Sequence, residues 1–195
     1  MRIILIHGFN ANPEMNFHPW LRDELQKEGF EVLAPALPFS GEPVLADWLK
    51  AMEEQVGRLD PDDIILGHSL GGVMALRYLE AAEMTGTPRA VVLVAAPWNL
   101  KKNAMQSFFT HELDADVLMW KANDFIIVHS KDDDKVPFDH AEKYAKMLKG
   151  KLLTREGEDH YMAEQYPVLL KIVQRLAEKD YSIDPGEGLP DDYED

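Results

Sequence analysis

The 195-residue chain reads as an α/β domain, a mostly parallel sheet of about six strands with helices on both faces. Three observations predict it. Short apolar runs bounded by turn residues recur along the chain and alternate with stretches of helical periodicity. The runs are continuous rather than polar-apolar alternating, as strands covered on both faces require. Glycines close several of the helical stretches, where a left-handed residue ends a helix at little cost.

The elements follow in order. Arg2-Ile6 is the first strand, and Trp20-Glu28 is a helix stopped by Gly29. Phe30-Ala34 is a second strand, followed by helical periodicity over Val44-Leu59. Asp63-Leu66 leads through a glycine-rich turn into a helix over Gly72-Met84, which ends near Gly86. Ala90-Ala95 and Asp124-His129 are the next strands. Asp139-Leu148 is a helix ending at Gly150, Lys151-Thr154 a sixth strand, and Tyr166-Lys179 a closing helix with Pro167 in its first turn, where a missing N–H costs little. Between Pro97 and Asn123 no strand is expected. The apolar residues there, Phe108, Phe109, Val117, Leu118, Met119 and Trp120, suit a mixture of core packing and cover over a site.

This length suits one core and is too short for two ordinary domains, so residues 1–179 are read as one domain. The acids from Asp180 to Asp195 follow the last lysine, Lys179, among Pro185, Gly186, Gly188 and Pro190, and residues 180–195 read as a flexible acidic tail. A formal charge of −15 opposes phosphate backbones and anionic membranes, so neither nucleic acid nor membrane is expected as a partner. With no cysteine there is no disulfide framework or thiol nucleophile. The opening apolar run is too short for a signal segment, and a cytoplasmic location is expected.

Gly67-His68-Ser69-Leu70-Gly71 is a GxSxG pentapeptide between a strand and a helix. A nucleophile elbow needs small residues two before and two after the serine, because the strand-to-helix turn brings backbone against backbone. Ser69 is therefore the candidate nucleophile. A hydroxyl is weakly nucleophilic at neutral pH, so it needs an imidazole base and a carboxylate to orient that base. Asp132, Asp133 and Asp134 lie just past a strand's C-terminal end, where open α/β sheets build their sites. His160 follows in the loop Glu156-Tyr161, giving the chain order Ser, Asp, His.

The amide of Leu70 and one from the loop after the first strand, that of Phe9 in His7-Gly8-Phe9-Asn10, are the candidate oxyanion donors. His68 takes a packing or pocket-shaping role, and Trp98, Phe108, Phe109, Trp120 and Met162 are candidate apolar lining. No histidine pair accompanies the acids, and there is no CxxC, GxGxxG or Walker sequence, so no metal or cofactor is expected.

These motifs, with the Val136-Pro137 step, resemble those of α/β-hydrolases. More narrowly, residues 1–178 are similar to the small serine hydrolases of the retinoblastoma-binding protein nine type. The resemblance implies a cap-less α/β-hydrolase fold with strand order 2-1-3-4-5-6. It also selects Asp133 as the acid, since the superfamily commonly places it three residues before the Val of a Val-Pro step. The expected function is cofactor-independent hydrolysis of a small carboxylic ester or related acyl compound through an acyl-serine intermediate. The alternative is a hydrolase-fold scaffold whose selected property is protein binding, for which an intact set of three catalytic side chains would be superfluous.

Overall fold

The computed structural model describes residues 1–100 and 103–178; the acidic segment from residue 180 onward lies outside the described residues. Six parallel strands form one sheet in the order β2-β1-β3-β4-β5-β6. They are β1 (Arg2–Ile6), β2 (Glu31–Leu33), β3 (Ile64–His68), β4 (Ala90–Val94), β5 (Asp124–Ser130) and β6 (Lys151–Arg155). The helices are α1 (His18–Lys27), α2 (Leu45–Gln55), α3 (Leu70–Ala81), α4 (Ala115–Lys121), α5 (Asp139–Leu148) and α6 (Pro167–Ala177), with a 3-10 helix at Asn103–Phe109. No described helix is long and apolar enough to cross a membrane.

Alternate residues along each central strand point to opposite faces, so the sheet carries two cores. Ile4, Ile6, Ile65, Val91 and Leu93 meet α2, α3 and α5 on one face. Ile3, Leu5, Ile64, Leu66, Val92 and Val128 meet α1 and α6 on the other. The five residues of β3 and of β4 are all buried, which explains why their sequences show continuous apolar runs without alternation.

Several boundaries move from those read in the sequence. β3 continues through Gly67 and His68, and α3 starts at Leu70, because the elbow spends a single residue on the turn. The helix expected to reach Leu59 stops at Gln55: Gly57 takes φ +69°, and Leu59 instead forms an isolated parallel bridge with Met84. At the N-terminal ends of the strands Asp63, 1% exposed, is held by Arg2 at 2.8 Å and by the Asp60 amide at 2.8 Å. The opposite, C-terminal ends face the loops that carry the candidate site.

Candidate active site

Ser69 stands alone between β3 and α3 with φ 52° and ψ −125°, a conformation an L residue holds only where its surroundings over-determine it. Those surroundings are glycines. A Cβ on Gly67 would collide with the Gly71 carbonyl, and one on Gly71 would collide with the Ile6 carbonyl and lie 2.6 Å from that of His7. Gly72, read from the sequence as the start of the helix, lets Ala96 approach: a Cβ there would lie 2.6 Å from the Ala96 methyl. The Ser69 amide donates to Val94 O at 2.8 Å, tying the elbow to the end of β4.

Of the three acids after β5, Asp133 meets His160. Its Oδ2 accepts the His160 Nδ1–H at 2.8 Å, and its Oδ1 accepts the amides of Lys135 and Val136, each at 2.9 Å. His160 then presents Nε2 to Ser69 Oγ at 3.0 Å. Asp132 turns away, hydrogen-bonded to Ser130 Oγ and to the Gly157 amide, and so anchors the loop that carries His160. Asp134 is exposed. Carboxylate oxygens of Asp133, Asp134 and Asp159 lie within 4.8 Å of one another, but both oxygens of Asp133 are already engaged by N–H donors, an arrangement for orienting an imidazole rather than binding a cation.

The sequence reading missed a second imidazole on this carboxylate. His129, fully buried at the end of β5, donates Nε2–H to Val136 O at 2.9 Å and approaches Asp133 Oδ2 at 3.3 Å. Burial pushes the Asp133 carboxyl upward, but the close approach of the His129 imidazole and the hydrogen bonds from His160 and the Val136 amide outweigh it and hold the group well below the usual carboxylate range. The available signal was position: His129 ends the strand whose following loop carries the acid.

His68 packs inside the fold. It is sealed under the elbow at 2% exposure, edge-on to Phe17, and donates Nε2–H to the carbonyl of His160 at 2.9 Å. The residue beside Ser69 thus holds the backbone of His160, in a loop where Gly157, Asp159 and Tyr161 all have positive φ. His7 supports its own loop, accepting the Leu37 amide on Nε2 at 3.1 Å and donating Nδ1–H to Gly8 O at 3.0 Å. Gly8 lies against the elbow, where a Cβ would sit 3.0 Å from both His68 O and Ser69 Cβ. Phe9 follows directly. Leu70 opens α3, so its N–H has no intrahelical acceptor.

Among the candidate lining residues, Trp98, Phe108 and Phe109 border a cavity of about 340 Å³ between α3, the 3-10 helix and α5. Trp120 and Met162 do not. Trp120 is 82% exposed on the outer side of α4, and Met162 is 47% exposed beyond His160. A large apolar side chain identifies itself in sequence, but its direction does not.

Burial drives His18 down to about 4 and His68 to about 3, the latter also opposed by His160, and lowers His7. Unfolded histidines take up protons at about pH 6.5, whereas His18 and His68 stay neutral in the fold to lower pH, so the unfolded state binds more protons below that pH. Stability should therefore fall as pH drops from about 6.5 toward 4, by up to about 1.4 kcal/mol per pH unit for each such histidine. Asp133, with its pKa depressed, adds a stabilisation present above the ordinary carboxylate pKa and lost below it. Urea midpoints at pH 7, 6 and 5 measure the slope, which His68→Gln should flatten; equal midpoints at all three pH values would contradict this account.

A parallel six-stranded sheet in this order, with a serine at a strand-to-helix elbow, defines an α/β-hydrolase. A profile of the family described as serine hydrolase matches residues 3–175, and the chain belongs to that family. Among its relatives is YdeN of Bacillus subtilis, 26% identical over 174 residues that cover 88% of this chain and 92% of YdeN. The crystal structure of YdeN superimposes with a TM-score of 0.85 at 22% identity, covering 90% of this chain and 97% of the other. The serine hydrolase RBBP9 of Rattus norvegicus is 25% identical over 167 residues, 82% of this chain and 86% of that one. Est1E from Butyrivibrio proteoclasticus shares the fold with a TM-score of 0.68 at 20% identity, over 89% of this chain and 85% of Est1E.

Proposed function

We infer that the chain hydrolyses a small-molecule carboxylic ester or related acyl compound through a covalent acyl-Ser69 intermediate. One observation carries the reading: a single imidazole, His160, bridges Ser69 Oγ at 3.0 Å and a buried carboxylate, Asp133, at 2.8 Å. Because Nδ1–H is committed to Asp133, Nε2 is free to accept the serine proton as Oγ attacks the substrate carbonyl. The charge that develops on the carbonyl oxygen meets the amides of Leu70 and Phe9. The imidazolium then protonates the departing alcohol. Water, deprotonated by the same Nε2, attacks the acyl-serine, and Nε2–H then returns that proton to Ser69 Oγ as the C–O bond breaks and the acid leaves. Every proton and leaving group is accounted for by these side chains, a water and the substrate.

Reaction of the folded protein with a fluorophosphonate, followed by mass spectrometry, tests this. A stoichiometric adduct on Ser69 is expected in the wild type and its near-complete loss in His160→Ala. Absence of label in the wild type, or equal labelling of the histidine variant, would remove the activated serine and leave the fold without this chemistry.

A further inference from the structure

Asp133 and His160 both stand on loops, the first between β5 and α5 and the second between β6 and α6. Loops are the more mobile parts of a fold, and a misplacement of about 1 Å in a catalytic group can cost about 10²-fold in rate. His129 offers the carboxylate a rigid neighbour. It comes from β5, which is hydrogen-bonded to β4 on one side and to β6 on the other, with His129 itself opposite Thr154.

The imidazole is fully buried and edge-on to Phe138 at 5.9 Å. Its Nε2 lies 2.9 Å from Val136 O and 3.3 Å from Asp133 Oδ2, so the ring proton sits on Nε2, between two oxygens. Nδ1 meets no hydrogen-bond partner among the described residues. The described polar contacts of the ring are therefore all with Val136 and Asp133.

Those two residues close on each other. Val136 donates its amide to Asp133 Oδ1 at 2.9 Å, and its carbonyl accepts the His129 N–H, so the loop is clamped between the carboxylate and the strand. Asp133 Oδ2 lies between His160 Nδ1 at 2.8 Å and His129 Nε2 at 3.3 Å, while Oδ1 takes the amides of Lys135 and Val136. An ionised carboxylate has about four lone-pair sites. Three N–H groups bonded to Asp133 and a fourth close by leave it one orientation, in which His160 Nε2 faces Ser69 Oγ at 3.0 Å.

We propose that His129 is a positioning residue for Asp133, tying its carboxylate to the sheet and acting on turnover only through it. This rests on the Ser69 mechanism proposed above. Sealed from solvent, the ring touches no substrate, so its effect belongs in kcat and not in KM.

The test is kcat and KM for p-nitrophenyl butyrate with the wild type, His129→Leu, His129→Gln, Asp133→Asn and the double variant His129→Leu with Asp133→Asn, after circular dichroism has shown each to be folded. His129→Leu, similar in bulk but without an N–H, should lose about 10- to 100-fold in kcat with KM within about twofold of wild type. His129→Gln, whose amide N–H reaches where Nε2 stood, should return kcat to within about threefold of wild type. In Asp133→Asn the leucine substitution should cost less than about a further twofold, because the group it acts through is gone.

An unimpaired His129→Leu, a glutamine variant no better than the leucine one, or a full further loss in the Asp133→Asn background overturns the proposal and leaves the Ser69 chemistry standing. His129→Asn, whose amide falls short of Val136 O and Asp133, replaces the leucine variant if that one is unfolded. A second readout needs no substitution at His129: its ring N–H resonance in histidine-labelled protein should move on Asp133→Asn, and an unmoved resonance also overturns the proposal. Where the ester is not turned over, the rate of fluorophosphonate labelling of Ser69 replaces kcat. If no adduct forms either, the nucleophile itself is overturned, and the positioning role with it.

Discussion

Ser69→Ala should lower kcat for p-nitrophenyl ester hydrolysis by about 10⁴-fold or more, since removal of the nucleophile of such a triad leaves only binding and oxyanion stabilisation. The size follows from how completely the other groups are committed to that one oxygen. His160 is aligned on it by Asp133, Asp133 is held by N–H donors on both oxygens, and the backbone of His160 is pinned by His68. None of these can supply a nucleophile in its place. Folding should be spared. Alanine meets the same positive φ as the serine, so the urea midpoint should stay within about 0.5 kcal/mol of wild type, the range of substitutions that disturb no packing. Residual turnover within tenfold of wild type, in a preparation free of contaminating esterase, would mean that the chemistry resides elsewhere.

Gly71→Ala should cost about 4 kcal/mol or more, or yield no soluble protein, although it adds only a methyl group. The added Cβ would strike the Ile6 carbonyl and stand 2.6 Å from that of His7 and 2.8 Å from Ile6 C. These are backbone atoms of the end of β1, a strand hydrogen-bonded on both sides to β2 and β3. A side chain could rotate aside; a central strand cannot without shifting the loop that carries Phe9. Gly29→Ala is the comparison. Its φ is +88° with nothing within 4 Å of the added atom, so only backbone strain opposes the change, about 1–2 kcal/mol. Urea unfolding of the two variants separates collision from strain, and equal costs would refute the collision.

The strands were legible because each contains a short apolar run, and all six lie within a few residues of their sequence-read limits. Their order came from resemblance, since apolar runs do not encode neighbours. The elbow was legible for a steric reason: glycines two before and two after a serine are needed only where Cβ atoms would strike backbone. His129 was not legible. Its contact with Asp133 depends on the loop 131–135 folding back over the end of β5, and no local pattern records that return. The segment after Pro97 was legible only as apolar. Its residues divide between a core-facing Phe108 and Leu118 and a solvent-facing Trp120, a division set by how a 3-10 helix and a short α4 sit on α3. The grip of Arg77 on the carbonyls of Phe108 and His111 likewise needs the fold, because its partners are backbone oxygens.

The separation of 91 residues between Ser69 and His160 also has a meaning in time. During synthesis at about 5–20 residues per second, the elbow is made roughly 5–18 s before His160. Over that interval β1 is already made, whereas β4, β5 and β6 are completed in turn. The last piece to arrive is the loop whose carbonyl His68 captures. A ribosome stalled anywhere in that interval holds Ser69 without His160, and the proposed acyl-transfer competence would begin at a sharp point in elongation, once the loop around His160 has cleared the exit tunnel.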